Sequence, residues 1–303
     1  MSESTSYSQK IKNVLAFRVL QAVASLSLRA NHRLAQRIAA LMNLFSNRTR
    51  DVARTNIQLC FPELSPKEQA ALAYENLVES AKGSAEMGWF WFNPEKALNM
   101  VKAVSGDGPL RETLAANEPA IILAPHLGAF EVLNFWVSHQ FELHVMYKPA
   151  KLKAVDDLML RGREHFGAHL YPTTPRGVVG LIRRLRKGGV ITAILPDQVP
   201  DEGSGVFAPF YGIPAYTGTL GPRMAQQSKA RVFMGWAERL PDAQGYHIHF
   251  SDPHPDIYHK DLAVATAAMN HTIETMIAKA PAQYMWGYKR FRRTPEGHSN
   301  PYK

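Results

Sequence analysis

The sequence predicts an α/β protein with a mainly parallel sheet flanked by helices and a helical N-terminal extension. Two patterns and the bulk composition support this. From about residue 100 onward, short apolar runs alternate with amphipathic stretches. The first hundred residues carry helical spacing instead. Apolar residues make up 46% of the 303-residue chain and charged residues 20%, which suits a folded protein with a sizeable core and excludes a disordered one.

The extension comes first. Lys10, Lys12, Arg18, Arg29, Arg33, Arg37, Arg48 and Arg50 face Glu3 alone in the first fifty residues, so much of the net charge of +9 is an N-terminal feature. Such a surplus favours a polyanionic partner. Within it, Val14, Leu15, Val19 and Val23 recur near helical spacing, with Phe17, Leu20 and Ala24 beside them. The stretch from Val14 to Leu28 is broken by Arg18 and falls short of the ~20 apolar residues that span a bilayer. No clear small-residue cleavage site follows it, so it is also a poor signal peptide. A basic, amphipathic, membrane-associating helical segment over residues 1–50 is the expectation, with one catalytic domain over 51–303.

Next, Ser65, Pro66 and Glu68 form a capping-box start with proline at the first helical position, opening a long helix that runs towards Gly88. Trp89, Phe90, Trp91 and Phe92 at its end read as core or as the wall of a channel. The lone cysteine, Cys60, excludes an internal disulfide and lies in an apolar helical context as a core residue. Strands are expected at 120–124, 143–147, 190–195, 232–236 and 247–250, with helices at 130–139, 152–165 and 178–187. No repeat, low-complexity tract or flexible linker divides the chain.

The chemistry concentrates in Ala120-Ile-Ile-Leu-Ala-Pro-His126-Leu-Gly128-Ala-Phe-Glu131, a buried strand that ends at a histidine, passes a glycine turn and enters a helix. Sites in open α/β sheets sit at the carboxyl ends of strands. Glu131, about one turn into the helix, is expected to lean back and hold His126 as a general base for a hydroxyl nucleophile. The helix start beyond Gly128 offers backbone N–H groups to an oxyanion or phosphate. His247 and Asp252 repeat the His-x-x-x-x-acid spacing without the glycine turn. They read as strand and loop residues, with His247 and His249 a weak suggestion of metal ligation.

Several fragments resemble, in order, the motifs of the bacterial lipid A late acyltransferases (lauroyl and myristoyl type), within the wider lysophospholipid and glycerol-phosphate acyltransferase superfamily. They are Asn56-Ile-Gln-Leu-Cys-Phe-Pro62, the His126 to Glu131 segment, Tyr147-Lys-Pro149, Arg161-Gly-Arg163, Pro196-Asp197-Gln198, Val206-Phe-Ala-Pro-Phe-Tyr-Gly212 and Trp286-Gly-Tyr-Lys-Arg-Phe-Arg292. The resemblance spans about residues 50–295. It implies a glycerol-phosphate acyltransferase-like fold and transfer of a fatty acyl chain from acyl carrier protein to a hydroxyl of a lipid A precursor. By position it gives His126 and Glu131 as the catalytic pair, and Arg163, Arg161, Asp197, Gln198, Tyr147 and Lys148 as substrate contacts.

The resemblance implies no metal and no tightly bound organic cofactor. The expected partners are acyl carrier protein, an anionic glycolipid acceptor and the inner-membrane surface, reached from the cytoplasmic face by a peripheral or monotopic attachment. Arg183, Arg184, Arg186 and Lys187 are candidates for docking the acidic carrier, and equally suit the solvated face of an ordinary helix. The run Lys289-Arg-Phe-Arg-Arg293 is read as membrane or phosphate contact; no nucleic-acid motif accompanies it, and no nucleic-acid partner is expected. Three alternatives stay open at this level: a sister enzyme using another lipid or a polyene acceptor, a membrane-associated thioesterase in which His126 activates water, and a non-catalytic binder.

Overall fold

The computed structural model describes residues 7–150 and 152–302, with side chains from residue 13 onward; Glu3 and the side chains of Lys10 and Lys12 lie outside that description. The chain opens with helices α1 (Tyr7–Ala24), α2 (Leu28–Asn43), α3 (Arg48–Cys60), α4 (Pro66–Phe92) and α5 (Pro94–Asn99). Alternation then begins with β1 (Val101–Ser105), α6 (Gly108–Ala115), β2 (Ala120–Leu123), α7 (Phe130–Gln140), β3 (His144–Tyr147), α8 (Lys153–Glu164), β4 (His169–Pro172), α9 (Pro175–Leu185) and β5 (Ile191–Ile194). The hairpin β6 (Gly205–Phe210) and β7 (Ile213–Gly218), helix α10 (Leu220–Ser228), strands β8 (Arg231–Arg239) and β9 (Tyr246–Ser251) and helix α11 (Leu262–Ile277) complete it.

The main sheet runs β1-β9-β8-β2-β5, parallel except between β8 and β9. β2 is an interior strand, and its four residues are all buried, as a continuous apolar run flanked on both sides by parallel neighbours should be. Beyond β5, a parallel bridge between Leu143 and Ile191 leads to the β3–β4 pair. The predicted α/β class and the five predicted strands are found.

Other elements were hidden in the sequence. The β6–β7 hairpin contains the cross-strand pair Pro209–Pro214, and prolines mask a strand pattern. Its turn, Tyr211-Gly212, has positive φ at both residues, the geometry that matches hairpin twist. α11 is a further element without a clear sequence signal: its first half is an Ala-rich apolar run, and Asn270 and Thr272 are buried among its apolar residues, which blurs the amphipathic pattern.

The long helix begins where the sequence places it. Ser65 Oγ accepts the Glu68 N–H at 3.4 Å, and Glu68 Oε2 accepts the Ser65 N–H at 2.8 Å. The helical spacing from Val14 to Ala24 lies within α1, which ends at Ala24, and Ser27 caps α2. Both helices pack on α4, with Trp89 Nε1 donating to the Leu26 carbonyl at 3.1 Å. No helix among the described residues is long and apolar enough to cross a membrane.

Under this packing lies a buried charge network. Glu86 of α4 accepts from Arg239 Nε and Nη2 of β8, from the Tyr246 hydroxyl of β9, and from His32 of α2. Arg239 Nη1 adds Glu79 at 2.8 Å. Burial alone would raise the Glu86 carboxyl, but Arg239 and His32 more than offset that and hold it at about 2. The unfolded chain therefore binds a proton at Glu86 before the folded one does. Its contribution is complete above the ordinary carboxylate pKa of 4.5 and is lost as pH falls towards 2. Urea titrations between pH 5 and 2.5 should show stability falling with acidity. Glu86→Gln should lower stability at neutral pH by about 3 kcal/mol, because Arg239 loses its main buried partner, and should flatten the acid dependence. An unchanged acid slope in the variant contradicts this role.

Candidate active site

The register of two neighbouring parallel strands builds the site. Leu123 of β2 pairs with Ile194 of β5, and three residues beyond each lie His126 and Asp197. The two meet across the strand ends: His126 Nδ1 donates to Asp197 Oδ1 at 2.7 Å, and the His126 backbone N–H donates to Oδ2 at 2.9 Å. Asp197 is buried. Burial opposes its negative charge, but His126 and the hydrogen bonds it donates keep the carboxyl below its ordinary value. With Nδ1 donating, Nε2 carries the lone pair, and the exposed Gln198 donates to it at 3.2 Å.

The turn after His126 depends on Gly128. Its φ is +65°, and a Cβ there would lie 2.0 Å from the Ala237 carbonyl oxygen. That carbonyl accepts the Ala129 N–H at 2.8 Å, the Gln283 carbonyl accepts the Gly128 N–H at 3.1 Å, and the His126 carbonyl accepts the Met285 N–H at 3.1 Å. The C-terminal segment thus forms the back of the turn. Asn56 and Asn76 hold that segment: Asn56 Nδ2 donates to the carbonyls of Trp286 and Tyr288, and Asn76 Nδ2 to those of Ala282 and Tyr284. Two of the sequence fragments, around Asn56 and around Trp286, owe their pairing to this contact.

α7 starts at Phe130 without a side-chain cap, and the N–H groups of Phe130 and Glu131 have no acceptor among the described residues. They stand beside His126, whose ring is 5.4 Å from that of Phe130. The N–H groups of Gly128 and Ala129, just before them, are used by the turn itself.

Glu131 does not engage His126. Its buried carboxylate faces α8 and accepts Arg163 Nε at 3.2 Å, with a second bond from Arg163 Nη2. The predicted contact is displaced for two reasons: the β5 end already supplies a carboxylate to Nδ1, and a buried Glu131 requires a cation. Burial opposes the charge on Arg163, yet Glu131 beside it raises the guanidinium above its ordinary value.

The Arg-Gly-Arg spacing is explained by packing. A Cβ on Gly162 would approach Trp91 Cα to 3.1 Å, so the glycine lets α8 lie against the end of α4 and bring Arg163 to Glu131. Arg161 is exposed and donates to the Asp157 carbonyl at 3.1 Å. The Tyr147 hydroxyl donates to Asp156, and burial, with that bond, pushes the phenol up to about 12; Lys148 is exposed beside it. Arg161, Tyr147 and Lys148 are therefore not drawn into the His126–Asp197 cluster by any hydrogen bond among the described residues.

A cavity of about 300 Å³ has His126 in its wall. Met87, Phe90, Phe130 and Met285 give it an apolar lining, Ser80, Gly83 and Ser84 present a small-residue face of α4, and Glu86 and Arg239 reach it. Of residues 89–92, Trp89, Phe90 and Trp91 are buried as core, and Phe90 also lines this cavity. The network around Glu86 escaped that reading, although two acids ahead of the Trp-Phe-Trp-Phe run were its signal.

Farther out, the basic run at 289–293 is partly structural. Arg290 is buried, with Nη1 donating to the Tyr216 carbonyl at 2.9 Å and Nη2 to Thr217 Oγ1, and Arg292 donates to the Val199 carbonyl at 3.2 Å. The expected membrane or phosphate role is withdrawn for Arg290. Of the four candidates on α9 and its end, Arg184 is tied to Glu142 at 2.9 Å and the exposed Arg186 to the Gln227 carbonyl at 2.9 Å, while the exposed Arg183 and Lys187 make no side-chain hydrogen bond among the described residues.

A carboxylate-held histidine at the strand ends of an α/β sheet, with an apolar cavity alongside, is an arrangement suited to activating a hydroxyl or water as a general base. The sequence matches the family described as bacterial lipid A biosynthesis acyltransferase over residues 2–293, and the chain belongs to that family. It is an acyltransferase. Among its relatives, the lipid A biosynthesis lauroyltransferase of Escherichia coli (strain K12) is 28% identical over 95% of this chain and 94% of the relative. The palmitoleoyltransferase of the same strain is 28% identical over 89% and 87%, and its myristoyltransferase 26% identical over 88% and 83%.

Asp197→Asn should lower turnover by about 10² to 10⁴-fold with little change in melting temperature, because the amide cannot hold the imidazole tautomer or balance its charge. Glu131→Gln should act mainly through the Arg163 contact, so that stability falls along with activity. Steady-state kinetics and thermal melts of the two variants side by side check this; a fully active Asp197→Asn enzyme rules out the pairing as the basis of catalysis.

Proposed function

We propose that this enzyme transfers a fatty acyl chain from acyl carrier protein to a hydroxyl of a lipid A precursor at the cytoplasmic face of the inner membrane. The observation that carries the reading is the orientation of His126: Nδ1 is fixed by a buried carboxylate and Nε2 is left with its lone pair beside an apolar cavity. The family to which the chain belongs supplies the lipid A context.

In the proposed reaction the acceptor hydroxyl takes the place of Gln198 at His126 Nε2 and gives up its proton there as its oxygen attacks the thioester carbonyl carbon. Asp197 balances the imidazolium that forms. The carbonyl oxygen gains negative charge, and the N–H groups of Phe130 and Glu131, at the positive end of α7, are suited to stabilise it. Collapse of the tetrahedral intermediate breaks the C–S bond, and the imidazolium returns its proton to the departing thiolate. The products are an ester and the free carrier thiol, with no covalent enzyme intermediate. The cavity flanked by Met87, Phe90 and Phe130 accommodates the acyl chain, and the Arg163–Glu131 pair positions the acceptor side.

Two features support membrane attachment through the N-terminal helices. Val14, Leu15 and Val19 of α1 are exposed, and α2 ends in exposed Leu41, Leu44 and Phe45, the last two 75% and 65% accessible. Arg18, Arg33 and Arg37 are exposed on the same two helices, a combination that suits the interface of an anionic bilayer. The apolar end of α2 adds to the segment singled out from sequence. Arg183 and Lys187 are the remaining basic candidates for docking the acidic carrier.

The decisive assay incubates labelled acyl carrier protein thioesters with lipid A precursors or lysophospholipids. Transfer to the lipid A precursor, abolished in His126→Ala, is expected; transfer only to lysophospholipid, or hydrolysis without transfer, contradicts the proposal. Separately, Leu44→Glu with Phe45→Glu should reduce flotation with anionic vesicles at least about tenfold, by loss of apolar burial in the interface. Undiminished flotation removes α2 from the attachment surface.

A further inference from the structure

The face of the sheet opposite Arg239 carries a second set of chemistry-bearing side chains. His247 and His249 are two apart on β9 and therefore project to one side of the sheet. Antiparallel pairing places Glu238 of β8 opposite His247, and Trp236 opposite His249. The three ligand-capable groups of Glu238, His247 and His249 each offer an atom within 4.8 Å of the others. His249 Nε2 donates to Glu238 Oε2 at 2.8 Å, and the imidazole rings of His247 and His249 are 3.9 Å apart.

These rings are held in place. Trp236 stacks on His249 with centroids 4.8 Å apart, and the Ser105 hydroxyl of β1 is hydrogen-bonded to His247 Nε2 at 2.7 Å. No lysine or arginine among the described residues forms an ion pair with Glu238. A second cluster, Glu142 with His144 and His169, has comparable spacing but fits a cation less well, because the Arg184 guanidinium already occupies the Glu142 carboxylate at 2.9 Å. Two imidazoles and one carboxylate leave room for a fourth ligand, which is the donor set of a borderline divalent ion.

We propose that Glu238, His247 and His249 bind one Zn²⁺ ion, with Ser105 or water completing the site. Its role is structural. The ion joins β8 to β9 at Glu238, the residue between Ala237, whose carbonyl accepts the Ala129 N–H of the His126 turn, and Arg239, which lines the cavity. Occupancy therefore stiffens the strand against which that turn is built, and the reaction itself is not routed through the metal.

Tag-free full-length protein, stripped with chelator, would be titrated with Zn²⁺ by calorimetry and with Co²⁺ by visible absorption. One ion per chain is expected, together with a rise in melting temperature on saturation and Co²⁺ bands of a nitrogen- and oxygen-ligated site. His249→Ala and Glu238→Gln should each weaken Zn²⁺ binding by at least about tenfold, as loss of a direct ligand requires. The double variant His144→Ala with His169→Ala should bind as the parent does. The conservative variant His247→Gln, whose folding is checked by circular dichroism, should alter the Co²⁺ spectrum even if His249→Ala fails to fold. Absence of saturable binding, binding unaffected by all three ligand variants, or binding lost only in the His144/His169 variant overturns the proposal.

Discussion

One carboxylate organises the end of the sheet at which His126 stands. Asp197 accepts hydrogen bonds from both the ring and the backbone N–H of His126, so it fixes a side chain and the path of the chain that carries it. This is possible because β2 and β5 are adjacent, parallel and in a register that sets Leu123 against Ile194. A slip of the pairing would part the two groups, since residues three beyond each strand end would no longer face one another. The pairing of strands Ala120–Leu123 and Ile191–Ile194 thus also specifies the contact between His126 and Asp197.

The rest of the structure keeps that end from shifting. From behind, the C-terminal segment bonds to His126 and Gly128, and is itself pinned by Asn56 of α3 and Asn76 of α4. From the side, the Glu86–Arg239 pair fastens α4 to β8, whose Ala237 carbonyl receives the start of α7. A buried ion pair is costly to desolvate, and its retention beside the cavity is consistent with a need for polar, geometrically exact closure where helix and sheet meet. Gly128 and Gly162 serve the same end by permitting approaches that a Cβ would block.

Much of this was legible in the sequence, and the failures have physical causes. The buried strand, the glycine turn and the helix around His126 follow from local patterns, as does the capping box at Ser65. The partner of His126 did not. A five-residue spacing points to Glu131, whereas the true neighbour of Nδ1 is 71 residues away and is set by strand order, which local periodicity does not encode. Asp197 and Arg163 were marked through resemblance, as substrate contacts; the structure places the first against His126 and the second against Glu131. The β6–β7 hairpin was obscured by its prolines, and the metal-suggestive His247 and His249 lacked a third ligand until antiparallel pairing brought Glu238 across.

The proposed chemistry depends on which carboxylate holds the His126 imidazole. Nitrogen-15 NMR of histidine-labelled protein measures it directly, through the tautomer of His126 in the parent and in Asp197→Asn and Glu131→Gln variants, with His126→Gln used for assignment. Control by Asp197 predicts a proton on Nδ1 in the parent, preserved in Glu131→Gln and lost or redistributed in Asp197→Asn. A tautomer that survives Asp197→Asn but collapses in Glu131→Gln would contradict it and return the orienting role to the residue the sequence first suggested.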